Sequence, residues 1–136
     1  MSEEAARARM VEEQLKLRGL KDERLLEVFR RVPRHLFVPE EYRDQAYADH
    51  PIPIGGGQTI SQPYIVALMV NQLRLRGHER VLEIGTGSGY ETAVLSELAL
   101  EVFSVERLPE LLLSVQERLQ ALGHANVHLS AGNGTL

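Results

Sequence analysis

Apolar residues recur at helical spacing through the start of the chain, first at Ala6, Met10, Leu15 and Leu17, then at Leu25, Leu26, Val28 and Phe29. Ser2 and Asp22 stand where the two runs begin and carry the short oxygen-bearing side chains that cap helix N-termini. Gly19 and Pro33 end them. The pattern predicts two helices. From Pro33 to Pro63 the periodicity is lost: Pro33, Pro39, Pro51, Pro53 and Pro63 all fall here, with Gly55-Gly56-Gly57 in the middle. This predicts a long, ordered connection, and such connections in compact domains are mostly functional or disordered. Pro63 suits the first turn of a helix, and YIVALMVNQLRL then predicts a buried helix that ends by Gly77, with Tyr64 and Met69 facing the core.

Beyond Gly77 the period changes. RVLEI (80–84), EVFSVE (101–106) and NVHLSAG (126–132) are short apolar runs rich in β-branched residues, and YETAVLSELA (90–99) and PELLLSVQERLQAL (109–122) between them are helical. Strand, helix, strand, helix, strand with short connections predicts an α/β fold with a parallel sheet and right-handed crossovers. The boundary between the helical N-terminal part and this domain is expected at 62/63, giving segments 1–62 and 63–136.

The candidate chemistry sits after the first of these strands, in VLEIGTGSGYETAVLS. Gly85, Gly87 and Gly89 occupy alternate positions between a strand and a helix, where glycines let ligand atoms approach the backbone. A dinucleotide fingerprint would need its third glycine at residue 90, which is Tyr90. A phosphate loop would need a lysine, and none follows Lys21. What remains is E-x-G-x-G-x-G, opened by Glu83, with Glu106 closing the next strand about 20 residues on, where an acidic side chain accepts the vicinal ribose hydroxyls of a nucleoside. Each residue also has a plainer role open to it: the glycines can make a tight turn, Glu106 can be a solvated strand end, and Glu83 can cap loop N–H groups.

Composition narrows the picture. Fifteen basic against nineteen acidic side chains give a formal charge of −4, which offers no nucleic-acid footprint. There is no cysteine, hence no disulfide framework, no thiolate nucleophile and no cysteine-bound metal. The five histidines, His35, His50, His78, His124 and His128, have no ligand spacing, so no metal site is expected. The charged N-terminus lacks the apolar core of a signal peptide and no window approaches a membrane span, so a cytoplasmic location without membrane association is expected.

The opening helices, RVPRHLFVP, the segment PIPIGGGQTISQPYIVALM and the glycine loop together resemble protein-L-isoaspartate (D-aspartate) O-methyltransferases, from about Met10 to the end of the chain. The segment G-Q-T-I-S-Q-P-Y carries the specificity of the resemblance, because methyltransferases in general lack it. The resemblance implies a Rossmann-like fold dependent on S-adenosyl-L-methionine, with an N-terminal helical extension. It also implies transfer of a methyl group to the α-carboxylate of L-isoaspartyl residues in proteins or peptides, with S-adenosyl-L-homocysteine as the other product.

The resemblance places Ser61 at the chemistry, although Ser61 equally suits the cap of the helix at Gln62-Pro63. It places Gln58, Thr59, Ile60, Ser61, Glu83, Gly85, Gly87, Gly89, Glu106, Arg107, Asn133 and Gly134 at the cofactor, and Val66 as a packing contact. Where the family carries G-D-G, this chain has Gly132-Asn133-Gly134, and an asparagine oxygen still accepts a hydrogen bond but without charge. Relatives of this fold have further strands after the third, whereas this sequence ends at Leu136. The expected strand order 3-2-1 then leaves Arg80–Ile84 as an edge, and an apolar edge strand recruits a partner. Self-association is therefore expected. Two other readings remain open: a small-molecule methyltransferase, or a half-domain that self-associates without turnover.

Overall fold

The Ser2 hydroxyl accepts a hydrogen bond from the Ala5 N–H at 3.1 Å and opens helix α1, Glu3–Met10, as the sequence predicts. In the computed structural model, which describes residues 1–135, the chain forms two compact units, Met1–Arg74 and Leu75–Leu136.

In the first unit α1 continues without a break into a π-helical turn, Val11–Lys16, and Gly19 at φ +97° then ends the run. The wider turn carries Met10, Val11 and Leu15 into the core together, each at most 1% exposed. Helix α2, Glu23–Arg31, starts at Asp22, whose carboxylate accepts from the amides of Arg24 (3.0 Å) and Leu25 (3.3 Å). It buries Leu25, Leu26, Val28 and Phe29. Val32 leaves the helix in an extended conformation, as the residue before a proline must.

The connection that follows is more regular than its sequence suggests. Two 3-10 turns, Arg34–Phe37 and Glu40–Gln45, lead into a hairpin of β1, Ile52–Gly55, and β2, Gln58–Ile60, which pair antiparallel with Ile52 opposite Ile60. Both isoleucines are buried, at 0% and 5% exposure. The prolines at 51 and 53 hide this strand, because proline cannot donate to a ladder and demotes a strand pattern.

Helix α3, Pro63–Leu73, begins with proline in its first turn, as predicted, and faces Val66, Ala67 and Val70 inward. Its apolar residues run around the whole helix, and only one stripe of them is covered. Met69, expected in the core, is 57% exposed, and Tyr64 is half-buried with the Arg18 guanidinium 5.2 Å from its ring centre.

The second unit realises the predicted alternation as β3, Arg80–Ile84, α4, Tyr90–Ser96, β4, Glu101–Glu106, α5, Pro109–Ala121, and β5, Val127–Ala131. The strands are parallel in the order β3-β4-β5, so β3 is an edge among the described residues. One face, with Glu83, Val102, Ser104 and Glu106, is buried; Ala93 and Val94 of α4 and Val115 and Leu119 of α5 are buried as well. The other face carries Leu82, Ile84 and Phe103, which are 65%, 57% and 40% exposed. Among the described residues no helix is long and apolar enough to cross a membrane.

Candidate functional site

Parallel strands deliver their carboxyl ends to one side of a sheet, and in open α/β sheets that side is where ligands bind. Here it gathers most of the candidate residues. The turn after β3 returns the Gly85 amide to the Val105 carbonyl at 2.7 Å, and the Gly87 amide donates to Glu106 Oε1 at 2.8 Å. The Gly132 amide donates to the Glu106 carbonyl at 2.9 Å, and a Cβ added at Gly134 would come within 3.0 Å of the Ile84 side chain. Glycine loop, Glu106 and the 132–134 turn thus lie at the ends of adjacent strands.

The three glycines do different jobs. All turn through positive φ, at +91°, +57° and +87° for Gly85, Gly87 and Gly89. At Gly89 a Cβ would also lie 2.7 Å from Val115 Cγ1, so this glycine lets α5 pack against the start of α4. At Gly85 an added Cβ meets no heavy atom within 4 Å. The loop is therefore closed on the Gly89 side and open over Gly85, where ligand atoms can approach the backbone.

Glu106 is fully buried. Its two carboxylate oxygens accept from the Gly87 and Leu108 amides (2.8 and 3.0 Å), and so it ties the glycine loop to the entry of α5. It is not a solvated strand end. A carboxylate has about four acceptor positions, so these two bonds do not exhaust it. Arg107 beside it is exposed. Asn133 is exposed, and its side-chain oxygen accepts from the amide and hydroxyl of Thr135 at 3.0 and 2.6 Å, a local turn that holds the amide group in place.

Glu83 lies deeper, 6% exposed, and its partners are hydroxyls rather than loop N–H groups. Ser104 and Thr92 both donate to its Oε1, Ser104 at 2.6 Å, and Thr86 of the glycine loop stands 2.6 Å from the Ser104 hydroxyl. Burial pushes the Glu83 carboxyl up to about 8, against the hydroxyl bonds, and the nearby Glu91 carboxylate adds to the rise. Oε2 is buried and makes no bond to the three hydroxyls, and the Glu91 carboxylate on its side favours a proton on Glu83. Thr86, Thr92 and Ser104 were not among the sequence candidates; the serine inside the apolar strand EVFSVE is the one signal that pointed to them.

The remaining candidates belong to the first unit. Gln58, Thr59 and Ile60 form β2, with Thr59 exposed and Ile60 buried, and Ser61 follows them, exposed. Ser61 does not cap α3: the N-cap is Gln62, without a side-chain cap bond. The Ser61 carbonyl accepts from Nη2 of Arg34 at 2.9 Å, and Nε of that fully buried arginine donates to the Ala46 carbonyl at 2.6 Å. Nothing in the sequence singled out Arg34. Val66 is buried at 4% exposure. A cavity of about 520 Å³ in this unit is lined by Ser2, Met10, Gln14, Arg43 and Tyr47 among others and includes none of the candidate residues.

Comparison with known proteins bears on this arrangement. The family model described as protein-L-isoaspartate(D-aspartate) O-methyltransferase matches residues 5–136. Protein-L-isoaspartate O-methyltransferase 1 of Syntrophobacter fumaroxidans is 60% identical over 131 residues, which are 96% of this chain and 61% of that protein. Protein-L-isoaspartate O-methyltransferase of Dictyoglomus thermophilum is 55% identical over 128 residues, 94% of this chain and 58% of that protein. A solved protein-L-isoaspartate O-methyltransferase superposes with a TM-score of 0.81 at 30% identity, covering 94% of this chain and 42% of its own. The chain thus spans about 60% of the length of the curated relatives it matches. With a Rossmann-like sheet, a glycine loop between its first strand and the helix after it, and a family match along nearly its whole length, the chain belongs to the protein-L-isoaspartate(D-aspartate) O-methyltransferase family.

Proposed function

We propose that this chain carries the nucleoside-binding part of a protein-repair methyltransferase, which uses S-adenosyl-L-methionine to methylate L-isoaspartyl residues in proteins or peptides. The observation that carries this reading is the convergence at the strand ends: open space over Gly85, the Glu106 carboxylate beneath Gly87, and the 132–134 turn alongside. A nucleoside fits these residues. Glu106, fully buried while the loop lies over it, takes ribose hydroxyls on the acceptor positions that the two amides leave over when the loop parts for the ligand. Gly85 and Gly87 admit the ligand to the backbone while Gly89 closes the loop behind them, and Asn133 Oδ1 accepts from the adenine amino group in exchange for its bond from the Thr135 hydroxyl. Gly134 and Arg107 lie at the same strand ends and flank the ligand there.

When bound, the cofactor would supply a sulfonium methyl for transfer to the substrate carboxylate, a C–O bond forming as the C–S bond breaks and its electron pair passes to sulfur. No proton has to be removed, so what the protein supplies is position and desolvation. Ser61 orients the attacking carboxylate or the methyl donor through its hydroxyl. Gln58, Thr59 and Ile60 flank the cofactor from the same segment, and Val66 adds packing. The methyl ester so formed collapses to a succinimide when the neighbouring backbone amide nitrogen of the substrate attacks the ester carbonyl, losing its proton, and methanol leaves. The cytoplasm is the compartment proposed for this activity.

The test is transfer of labelled methyl to an isoaspartyl peptide, compared with the matching aspartyl peptide. Label in the isoaspartyl peptide alone supports the reading; equal labelling of both, or label only in a small-molecule acceptor, sinks it. A second reading is favoured by the exposed face of Leu82, Ile84 and Phe103 beside edge strand β3. In it the chain self-associates through this edge and binds cofactor without turnover. Sedimentation showing a compact monomer at micromolar concentration removes that reading.

A further inference from the structure

A polar chain lies buried between the sheet and the glycine loop, and the proposed chemistry does not use it. If Ser104 gives its proton to Glu83 Oε1, its oxygen is left to accept from Thr86, so the chain runs in one direction, from the Thr86 hydroxyl to the Ser104 hydroxyl to the Glu83 carboxyl. The Thr92 hydroxyl donates to the same oxygen from α4. Thr86, Thr92 and Ser104 are 4%, 0% and 0% exposed, so the chain of hydroxyls lies away from bulk water in this conformation. The parallel register sets Glu83 against Ser104, and the fold places Thr86 between Gly85 and Gly87. One carboxyl is therefore linked to the strand before the loop, to the neighbouring strand, to the loop and to the helix after it.

We propose that Glu83 is a positioning residue rather than a cofactor contact: through Ser104 and Thr86 it holds the glycine loop in its ligand-accepting shape, and through Thr92 it anchors the first turns of α4 to the same point. The proposal rests on the reading of the glycine loop as the nucleoside site. A neutral carboxyl suits this work. Once ionised, Glu83 is a buried charge facing Glu91 from α4, with Glu106 two residues beyond Ser104 on β4. Arg118 of α5 also reaches the loop, where it donates to the Ser88 carbonyl at 3.2 Å. Relief for an ionised Glu83 then comes from water entering under the loop, which breaks the hydroxyl chain.

The experiment follows amide exchange of Thr86 and Gly87 in the 136-residue chain without ligand, as protection relative to the unstructured rate, from about pH 6 to about pH 9. Calorimetric titration with S-adenosyl-L-homocysteine runs in parallel. In the parent, loop protection falls about tenfold across this range while the Val102 amide holds steady. Glu83→Gln keeps the carbonyl acceptor and removes the ionisation, so it abolishes the fall and retains binding at neutral pH. Ser104→Ala lowers loop protection about tenfold at every pH and weakens binding by a similar factor. Parent-like loop protection in Ser104→Ala, or an undiminished pH profile in Glu83→Gln, overturns the proposal. If the loop responds as expected but the parent never binds the nucleoside, the positioning role stands and the functional reading fails. If the parent binds and neither variant alters the loop, the reverse holds.

Discussion

Two turns of the chain are built on clustered glycines, Gly55–Gly57 and Gly85–Gly89, and every one of Gly55, Gly56, Gly57, Gly85, Gly87 and Gly89 has positive φ. What supports the two segments differs in sign. The first is the tip of a short hairpin, and the strand leaving it is fixed where buried Arg34 donates to the Ser61 carbonyl. The second is held from below by two buried carboxyls, Glu106 bonding loop amides directly and Glu83 acting through hydroxyls. The Arg34 cation fixes its segment from the carbonyl side, whereas Glu106, by accepting from the Gly87 and Leu108 amides, fixes the N–H side. This difference is what the following substitutions break or sharpen.

The largest effect is expected at Glu106. Glu106→Ala leaves the Gly87 and Leu108 amides without their acceptor, at a cost of about 2–4 kcal/mol, read by urea unfolding, and it removes nucleoside binding. Next comes the contrast within the glycine loop. Gly89→Ala places a methyl against Val115 and strains φ together, costing about 2–3 kcal/mol, whereas Gly85→Ala strains φ alone and costs about 1 kcal/mol. Adding Val115→Ala recovers part of the loss at Gly89 and none of the loss at Gly85.

Glu83→Gln is smaller and depends on pH. Because the folded-state value of Glu83 is raised from 4.5 to about 8, the proton is bound more tightly in the folded protein. Its stabilising contribution is full below pH 4.5 and is lost as pH climbs to about 8. The variant should match the parent at the acid end and exceed it near pH 8 by roughly 2 kcal/mol, below the full linkage value because water entry relaxes the site. A pH series of denaturant midpoints checks this. On the other segment, Arg34→Lys keeps the charge but loses the fork that serves Ala46 and Ser61 together, for about 1–2 kcal/mol. Limited proteolysis should then cut faster between Gly55 and Gln62.

The two segments were also unequally legible. Strand–helix alternation from Arg80 onward and the role of Pro63 follow from apolar spacing and turn residues, the edge position of β3 follows from the family resemblance, and the structure keeps all three. The hairpin at 52–60 was hidden by its prolines, and the outward turn of Met69 by a helix that is apolar all round. The π-helical turn at Val11–Lys16 has no sequence marker, since propensity does not distinguish it from α-helix. At the site, the glycine spacing and Glu106 were readable as candidates. The hydroxyl chain was not, because it depends on a strand register that sets Glu83 beside Ser104, 21 residues apart, and on a loop residue, Thr86, folding back onto that serine. Arg34 lay among many arginines, and only its burial sets it apart.

The central claim is that the open glycine loop above Glu106 takes the nucleoside of the methyl donor. Calorimetric titration of the chain with S-adenosyl-L-homocysteine tests it most directly. Saturable heat at one site per chain, weakened when Glu106 becomes Gln, is the predicted result. Absence of binding by a chain whose circular dichroism shows it folded contradicts the account.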